Sequence, residues 1–334
     1  MMPIAGGPAL WTRWVCLARW PDWSTSKLPY LGASALLLAS PQASAVRVVG
    51  ILGTVLFWAA FGYGINEVAD RGFDLRAGKP NRAAVLSPLS WALFLTLTAS
   101  AAGGLSLLWA ADSAAPVFVG VGLLLAVAYS LPPLRLKERG VLGLVAGAAS
   151  QWVLPVLAIA AAQPRGWHRP EAWGLALLGL AIGTRWMAIH QFQDAEADRR
   201  AGVRTYVSLG GQVWRVLLGA FLAEVVFLAA TLVLMWPHSF PAVLALAFWV
   251  GQQAMLRPRG EPLRQKLQGY DHAPLAEYYF LLLPAALALA RGLSSPSFLM
   301  IAAAFVALGW CYLDMMIGDG LKLGRPAGST YERI

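Results

Sequence analysis

The sequence predicts an all-α membrane protein, a polytopic transmembrane helical bundle of about nine or ten spans. Hydrophobic residues make up 58% of the 334-residue chain and charged residues only 13%, whereas charged residues are about a quarter of an average soluble domain. The apolar residues also form continuous stretches close to the roughly 20 residues that cross a bilayer as a helix. Barrel strands would be about half as long and would alternate polar with apolar residues, so helices are favoured.

Ten apolar stretches are long enough to be considered as spans. They cover residues 28–46, 48–66, 85–110, 114–133, 140–162, 172–191, 213–236, 239–256, 275–291 and 296–317. These boundaries divide the chain into an N-terminal segment (1–27), a transmembrane domain (28–317) and a C-terminal tail (318–334).

Positive charges alternate in density from one loop to the next. The richer loops hold Arg71, Arg76, Lys79 and Arg82; Arg135, Lys137 and Arg139; Arg199, Arg200, Arg204 and Arg215; and Arg257, Arg259, Arg264 and Lys266. Because positive loops stay on the cytoplasmic side, these loops and both termini are predicted to be cytoplasmic, in an integral protein of the cytoplasmic (inner) membrane. The net charge of +9 is therefore attributed to topology and to anionic membrane lipids, and no nucleic-acid partner is expected.

Two polar motifs, 124 positions apart, stand at the ends of apolar stretches. They read Asn66-Glu-Val-Ala-Asp70-Arg-Gly-Phe-Asp74 and His190-Gln-Phe-Gln-Asp194-Ala-Glu-Ala-Asp198, and in each Arg-Ala-Gly follows after one further residue. Residues four apart share one face of a helix, so each motif predicts a stripe of two carboxylates and a third polar side chain. The offset spans an even number of helices, which predicts two parallel pseudo-repeats with both stripes at cytoplasmic helix ends.

Carboxylate stripes in so apolar a chain indicate a site for hard divalent cations. Carboxylates at a membrane edge are costly unless they are paired or metal-bound, and Mg²⁺ binds through one or two carboxylates, water and substrate phosphate oxygens. Two facing stripes could clamp a diphosphate. The adjoining cations that would neutralise its charge are Lys79, Arg82, Arg200 and Arg204. The alternative for the stripes is that they are ordinary acidic helix ends in water. The alternative for the cations is that they lie in loops and only set topology.

A third polar segment ends the fourth apolar stretch on the same side. It reads Tyr129-Ser-Leu-Pro132-Pro133-Leu-Arg135-Leu-Lys137, and its two prolines stop the helix. Tyr129 is therefore predicted about two turns above Arg135 and Lys137, at the rim of the same cavity. An aromatic anchor at the membrane interface is the alternative for Tyr129.

Together the three segments resemble the motifs of the UbiA-type intramembrane prenyltransferases. The first stripe with Lys79-Pro-Asn-Arg82 resembles the first motif of that family, residues 129–137 the central motif, and the second stripe with Gly202-x-x-Thr205 the second aspartate motif. The resemblance covers roughly residues 19–210. It implies an all-helical intramembrane bundle that uses Mg²⁺ to hold a polyprenyl diphosphate and transfers the prenyl chain to an aromatic, quinone-precursor or lipid-like lipophilic acceptor.

The resemblance also implies roles for individual residues. The implied metal ligands are Asn66, Asp70, Asp74, Asp194 and Asp198, and the implied diphosphate contacts are Lys79, Arg82, Lys137 and Arg204, joined by Arg19 from a Leu-Ala-Arg-Trp-Pro stretch before the first helix.

Three positions depart from the family pattern. Glu67 stands where many members have Asp, and Gln191, preceded by His190, stands where many have a further Asp. A neutral imidazole suits Mg²⁺ poorly, so we expect His190 to be an acceptor-side base or hydrogen-bond partner, with Tyr129 as the other catalytic candidate. His190 as a replacement metal ligand remains open.

Charged and aromatic residues within the apolar stretches complete the candidates. Arg185 and Glu224, in neighbouring helices, predict a buried ion pair, with acceptor recognition as the alternative. Four aromatic residues near the motifs could flank an allylic cation, although helix packing is the default interpretation: Phe61, Tyr63, Trp152 and Trp186.

Other functions compete with prenyl transfer. A terpene cyclase would keep the ionisation but have no external acceptor, and the polar His190 favours transfer. A phosphotransferase of nucleotide-activated head groups is disfavoured because its Asp-Gly-x-x-Ala-Arg run is absent. A cation or lipid transporter is the non-catalytic alternative, but its site would be expected nearer the middle of the membrane.

Overall fold

The computed structural model describes residues 10–39, 45–163, 166–256, 275–293, 295–310 and 312. Over these residues the chain is helical and contains no β-strand, which confirms the predicted all-α class. The helices are α1 (Leu10–Leu17), α2 (Trp20–Ser24), α3 (Lys27–Leu38), α4 (Ala45–Ala77), α5 (Pro88–Ala110), α6 (Ala115–Ser130), α7 (Val141–Ala148), α8 (Leu154–Ala161), α9 (Pro170–Ala201), α10 (Val213–Leu234), α11 (Phe240–Leu256), α12 (Leu283–Gly292) and α13 (Ser297–Leu308).

Each predicted apolar stretch contains a helix, but the helices differ in length. Those long and apolar enough to cross a membrane are Ala45–Ala77, Pro88–Ala110, Val141–Ala161, Pro170–Ala201 and Val213–Leu234. Shorter apolar helices are Ala115–Ser130, Phe240–Ala254, Tyr278–Gly292 and Ser297–Leu308. A membrane-embedded helical bundle is supported, whereas the count of nine or ten spans stays a prediction. The predicted tail, the basic loop from Arg257 to Lys266 and the end of the tenth stretch lie outside the described residues.

Helices α4 and α9 are the longest, and each continues beyond its apolar stretch. With 33 and 32 residues they are about 50 Å long at 1.5 Å per residue, well over the roughly 30 Å of a hydrocarbon core. The final turns of each carry one polar motif. Helix α4 packs along α5, α9 packs along α10, and α4 and α9 also contact each other, so the two motifs come together.

Both long helices end in the same way. Gly78 and Gly202, which follow them, have left-handed backbones with φ of 71° and 74°. The amide after each glycine donates to the backbone carbonyl of Asp74 or Asp198, at 2.8 Å in both cases. A glycine in this conformation satisfies carbonyls that a helix end leaves unpaired. The repeated Arg-Ala-Gly is therefore a helix stop that sets both carboxylate stripes at the same distance from a helix end.

The predicted pair of buried charges joins α9 to α10. Arg185 Nε donates to Glu224 Oε1 at 2.5 Å and Arg185 Nη2 to Glu224 Oε2 at 2.8 Å, and neither side chain is exposed. Two parallel bonds of this kind satisfy a buried carboxylate. The ion-pair interpretation of these residues is confirmed.

Candidate active site

A cavity of about 1010 Å³ lies where the motif-bearing ends of α4 and α9 meet. Helix α6 and a π-helical turn between α7 and α8, Ala149–Val153, form other parts of its wall. The structure places all the stripe residues around this one cavity: Asn66, Asp70, Asp74, His190, Asp194 and Asp198. Oxygen-bearing side chains from two helices therefore face a common space.

The first stripe is held by cations from the connection between α6 and α7. Arg135 Nη2 donates to Asp70 Oδ1 at 3.1 Å, and the ammonium of Lys137 pairs closely with the same oxygen. Lys137 Nζ also donates to Asn66 Oδ1 at 3.0 Å. Asp74, one turn further on, accepts a hydrogen bond from Asn81 Nδ2 at 2.7 Å.

A tight turn brings Arg135 and Lys137 to Asp70. Arg135 has a left-handed backbone (φ 38°) before the 3₁₀ turn Leu136–Glu138, and its guanidinium lies 4.2 Å from the centre of the Phe73 ring. Both basic side chains are buried. Burial lowers the pKa of Lys137 from its ordinary value, while the attraction of Asp70 opposes that shift. The two cations are therefore fixed parts of the site and not mobile loop charges.

The second stripe is held by a cation from the other half of the repeat. Lys79, in the loop after α4, places its Nζ 3.0 Å from Asp194 Oδ1 and 3.9 Å from Asp198 Oδ1. His190 Nε2 lies 3.6 Å from Asp194 Oδ2. Asp198 accepts a hydrogen bond from Thr205 Oγ1 at 3.3 Å, and Thr205 follows Asp198 by seven positions, as Asn81 follows Asp74. The repeat thus extends past the helix ends.

Glu67 organises two other predicted diphosphate contacts. It is 4% exposed and accepts from the Arg82 amide at 2.9 Å and from Arg82 Nη1 at 3.0 Å. Arg19 Nη1 lies 3.5 Å from the same carboxylate, and Arg19 also pairs with Asp22 at 2.5 Å. Arg19 and Arg82 both line the cavity. Glu67, noted in the sequence only as a departure, therefore anchors one edge of the site.

The remaining predicted residues divide into two groups. Tyr129 lines the cavity, as do Tyr63, Trp152 and Trp186. Arg204 is exposed and does not line the cavity, and Phe61 packs in a hydrophobic cluster with residues of α5. The structure thus brings together the predicted diphosphate contacts except Arg204. Arg200, also predicted to neutralise the diphosphate, pairs with Glu196 at 3.1 Å and does not line the cavity.

Some site residues were missed or left without a role by the sequence reasoning. Arg135 stands two positions before Lys137, and that spacing could have suggested that both side chains contact the same carboxylate, that of Asp70. Lys27, the last residue before the first apolar stretch, and Gln151, inside the fifth, line the cavity but have no repeat or motif around them. Only tertiary structure brings them to the site.

Comparison with known proteins decides the family. A model of the UbiA prenyltransferase family matches residues 28–268. The chain belongs to the UbiA prenyltransferase family. This membership confirms the resemblance seen in the three motifs, and with it the assignment of the chain to a family of prenyl-group transferases.

One curated relative shares part of the sequence. The C(50) beta-cyclic carotenoids biosynthesis protein LbtBC of Dietzia sp. (strain CQ4) is 28% identical over a 268-residue alignment, which covers 73% of this chain and 56% of that protein. The UbiA-family chain described here thus spans little more than half the length of that relative.

Solved structures share the fold. A UbiA homolog from Archaeoglobus fulgidus bound to GPP and Mg²⁺ has a TM-score of 0.53, and the same homolog bound to DMAPP and Mg²⁺ has one of 0.52. Each is 20% identical and covers 90% of this chain and 99% of its own. At this identity the likeness supports the UbiA fold.

Proposed function

We propose that this protein is a magnesium-dependent membrane prenyltransferase that ionises a polyprenyl diphosphate and transfers the prenyl chain to a lipophilic acceptor. One observation carries the proposal: carboxylates from two helices and cations from three segments surround one cavity that is also lined by aromatic rings. The GPP, DMAPP and Mg²⁺ named for the archaeal homolog are compatible with such a site. Family membership favours transfer over the cyclase and transporter alternatives.

The oxygen ligands of the cavity fit magnesium. In each stripe a lysine ammonium already bridges two oxygen-bearing side chains: Lys137 lies against Asn66 and Asp70, and Lys79 near Asp194 and Asp198. These are positions where a cation is stabilised. Among the described residues, no group of three or more His, Cys, Asp or Glu side chains is arranged to coordinate a metal ion by itself. Two carboxylates per stripe match an ion that takes its other ligands from water and phosphate.

The basic residues give the diphosphate a binding surface. Bound Mg²⁺ would stabilise negative charge on the leaving diphosphate. Lys79, Lys137 and Arg82 would contact the phosphate oxygens directly, with arginine suited to two parallel bonds. Arg204 stays a candidate only if the loop after α9 moves toward the cavity, because it is exposed in the structure.

The prenyl cation would be captured in the inner part of the cavity. Tyr63, Tyr129, Trp152 and Trp186 supply ring faces that attract a cation and exclude water. His190 lies beside Asp194 with 46% of its side chain exposed, so it can accept a proton from an acceptor held next to it. The side-chain oxygen of Gln191, Oε1, is buried and has no hydrogen-bond partner among the described residues. It is therefore available to orient that acceptor.

The site is proposed to open to the cytoplasm from the inner membrane. The basic residues near it supply the support, because positive loops stay on the cytoplasmic side. In a background without Cys16 and Cys311, a cysteine replacing Gly78 should resist an impermeant thiol reagent applied to intact cells. A cysteine replacing Gly166, at the opposite end, should react. The reverse pattern would overturn this orientation.

Product analysis tests the activity itself. Purified protein in detergent is given Mg²⁺, prenyl diphosphates of graded length and a membrane lipid extract, and products are identified by mass spectrometry. Prenylated acceptor and pyrophosphate should both depend on Mg²⁺. A cyclised hydrocarbon formed equally with and without extract would instead identify a cyclase.

A further inference from the structure

The face of α4 that carries the first carboxylate stripe continues into the bundle as an apolar surface. The α4 residues on this face that line the cavity, at intervals of three or four positions, are Val55, Ala59, Gly62, Asn66, Asp70 and Asp74. Residues at these intervals share one side of a helix. A prenyl chain attached to a diphosphate at Asp70 would therefore run inward along the small side chains of Gly62 and Ala59.

The facing helix is also small at this depth. Ala126 of α6 lines the cavity, and a Cβ added to Gly62 would lie 3.9 Å from Ala126 Cβ. That distance is ordinary van der Waals contact, so the two helices are close here and only the missing side chains leave room between them. The result is an apolar groove directly inward of Asn66.

Trp58 closes the inner end of this groove. It is 3% exposed and lines the cavity. Its indole fills the notch left by Gly122 of α6, where an added Cβ would lie 1.7 Å from Trp58 Cζ2. Val55, almost one turn further along α4, and Leu31 of α3 also line the cavity and belong to the main hydrophobic core. Packed side chains therefore lie behind the indole.

The distance from Asn66 to this floor sets a length. Trp58 precedes Asn66 by eight residues and Val55 precedes it by eleven, which at 1.5 Å per residue are about 12 and 16 Å along α4. Each isoprene unit adds four main-chain carbons, or about 5 Å when extended, at bond lengths near 1.5 Å. A C15 chain therefore fits between Asn66 and the floor, whereas a C20 chain extends past it.

We propose that Trp58, seated against Gly122, limits the length of the prenyl chain, and that the donor is a short prenyl diphosphate of at most C15. This assignment rests on the proposed prenyl transfer and defines its donor class. A longer chain would have to bend back within the cavity or displace an indole that is packed between two helices.

The test changes the floor in both directions. Trp58→Ala and the milder Trp58→Leu remove bulk, and Ala59→Leu adds bulk between Asn66 and the indole. Phe57→Ala is the control for lost bulk, because Phe57 packs in the same hydrophobic cluster as Trp58 but does not line the cavity. Gly104→Leu is the control for added bulk, because an added Cβ there meets no atom within 4 Å.

The readout is a chain-length profile. Each full-length protein in detergent receives Mg²⁺, a membrane lipid extract and an equimolar mixture of C10, C15, C20 and C30 prenyl diphosphates. Mass spectrometry quantifies the products of each length. Pyrophosphate release is also measured with each diphosphate alone, so that ionisation is followed independently of the acceptor.

The wild type should use C10 and C15 and favour C15 over C20 by roughly tenfold or more, since one methylene in a hydrophobic pocket already changes specificity about 10–200-fold. Both Trp58 variants should lose most of that preference, and Trp58→Leu carries the test if Trp58→Ala does not fold. Ala59→Leu should keep C10 but use C15 roughly tenfold less, because its side chain shortens the groove by about one unit. Both controls should keep the wild-type profile.

Other outcomes overturn the assignment. Equal or better use of C20 by the wild type, or failure to use C15, would refute the length limit. An unchanged profile in a folded Trp58 variant, or the same shift in Phe57→Ala, would show that Trp58 does not set the limit. Absence of pyrophosphate release by the wild type with every diphosphate would instead refute prenyl transfer itself.

Discussion

The two carboxylate stripes have the same backbone but different electrostatic surroundings. Asp70, in the first stripe, contacts both Arg135 and Lys137 and its side chain is 18% exposed. Asp194, its counterpart, contacts Lys79 at 3.0 Å, lies 3.6 Å from His190 and is 36% exposed. Arg135 and Lys137 therefore nearly neutralise the negative charge of the first stripe. The second stripe depends on a single lysine, Lys79, which comes from the first half of the repeat.

This difference separates what the repeat preserves from what it varies. The helix stop, the carboxylate spacing and the hydrogen-bonding residue seven positions on are shared by both halves. The residue one turn before the first carboxylate differs, as Asn66 and His190, and so does the residue after the glycine, as Lys79 and Val203. The two halves thus share one backbone frame but present different side chains to the cavity, Asn66 and Lys79 in the first and His190 and Val203 in the second.

Loss of one carboxylate from either stripe should have the largest effect. Asp70→Asn and Asp194→Asn each remove a ligand charge with little change in shape, and turnover at saturating Mg²⁺ should fall roughly 1,000-fold, corresponding to several kcal/mol of lost charge stabilisation. Gel filtration in detergent checks that the variants stay folded. Near-normal turnover in only one of them would mean that a single stripe is sufficient.

The residues one turn before Asp70 and Asp194 should separate ionisation from capture. His190→Ala should keep pyrophosphate release but slow product formation roughly 100-fold, the lower range for removal of a general base, with prenyl alcohol or cyclised hydrocarbon making up the difference. Asn66→Ala should depress both together. Both products are quantified in both variants, and parallel loss in His190→Ala would place the histidine at the diphosphate.

The two bridging lysines should be unequal. Lys137→Met leaves Asp70 with Arg135, whereas Lys79→Met leaves Asp194 with only the histidine. Turnover at limiting prenyl diphosphate should therefore fall about tenfold more in Lys79→Met, in line with the 1.5–3 kcal/mol of a hydrogen bond to a charged group. Lys79→Arg is the matched control. Equal losses would show that the stripes do not differ in their supply of cations.

The helix stops should respond alike. Gly78→Ala and Gly202→Ala each place a side chain at a left-handed residue, and the added Cβ would meet no atom within 4 Å at either site. Each should cost about 1 kcal/mol of stability for backbone strain alone. Apparent melting temperatures in detergent measure both, and a marked difference between them would mean that the two helix ends are not equivalent in the membrane protein.

Local patterns predicted the helical class, both stripes and the buried ion pair, because four-residue spacing and lone charges in apolar stretches have few structural interpretations. Patterns of this kind do not report contacts between distant segments. The pairing of Lys79 with Asp194 and the anchoring of Arg82 by Glu67 depend on how α4 meets α9 and how the loop after α4 folds back.

The N-terminal segment shows the same limit. Residues 10–27 belong to the segment predicted only as a cytoplasmic N-terminus, yet Trp23 is 1% exposed and stacks with Tyr63 at a centroid distance of 6.2 Å. Arg19, which the family resemblance implied as a diphosphate contact, and Lys27, which no pattern indicated, both line the cavity from this part of the chain. A short segment without periodicity gives no signal of such packing before the rest of the fold is known.

The fully buried pair of Arg185 and Glu224 bears on how the protein is made. Each charge alone would cost its helix roughly 3 kcal/mol at the centre of a bilayer on insertion scales, which opposes the release of α9 or α10 singly into lipid. Paired, they remove most of each other's penalty. During synthesis the two helices are therefore best delivered to the membrane as one hairpin, with the second carboxylate stripe already fixed at the tip that joins them.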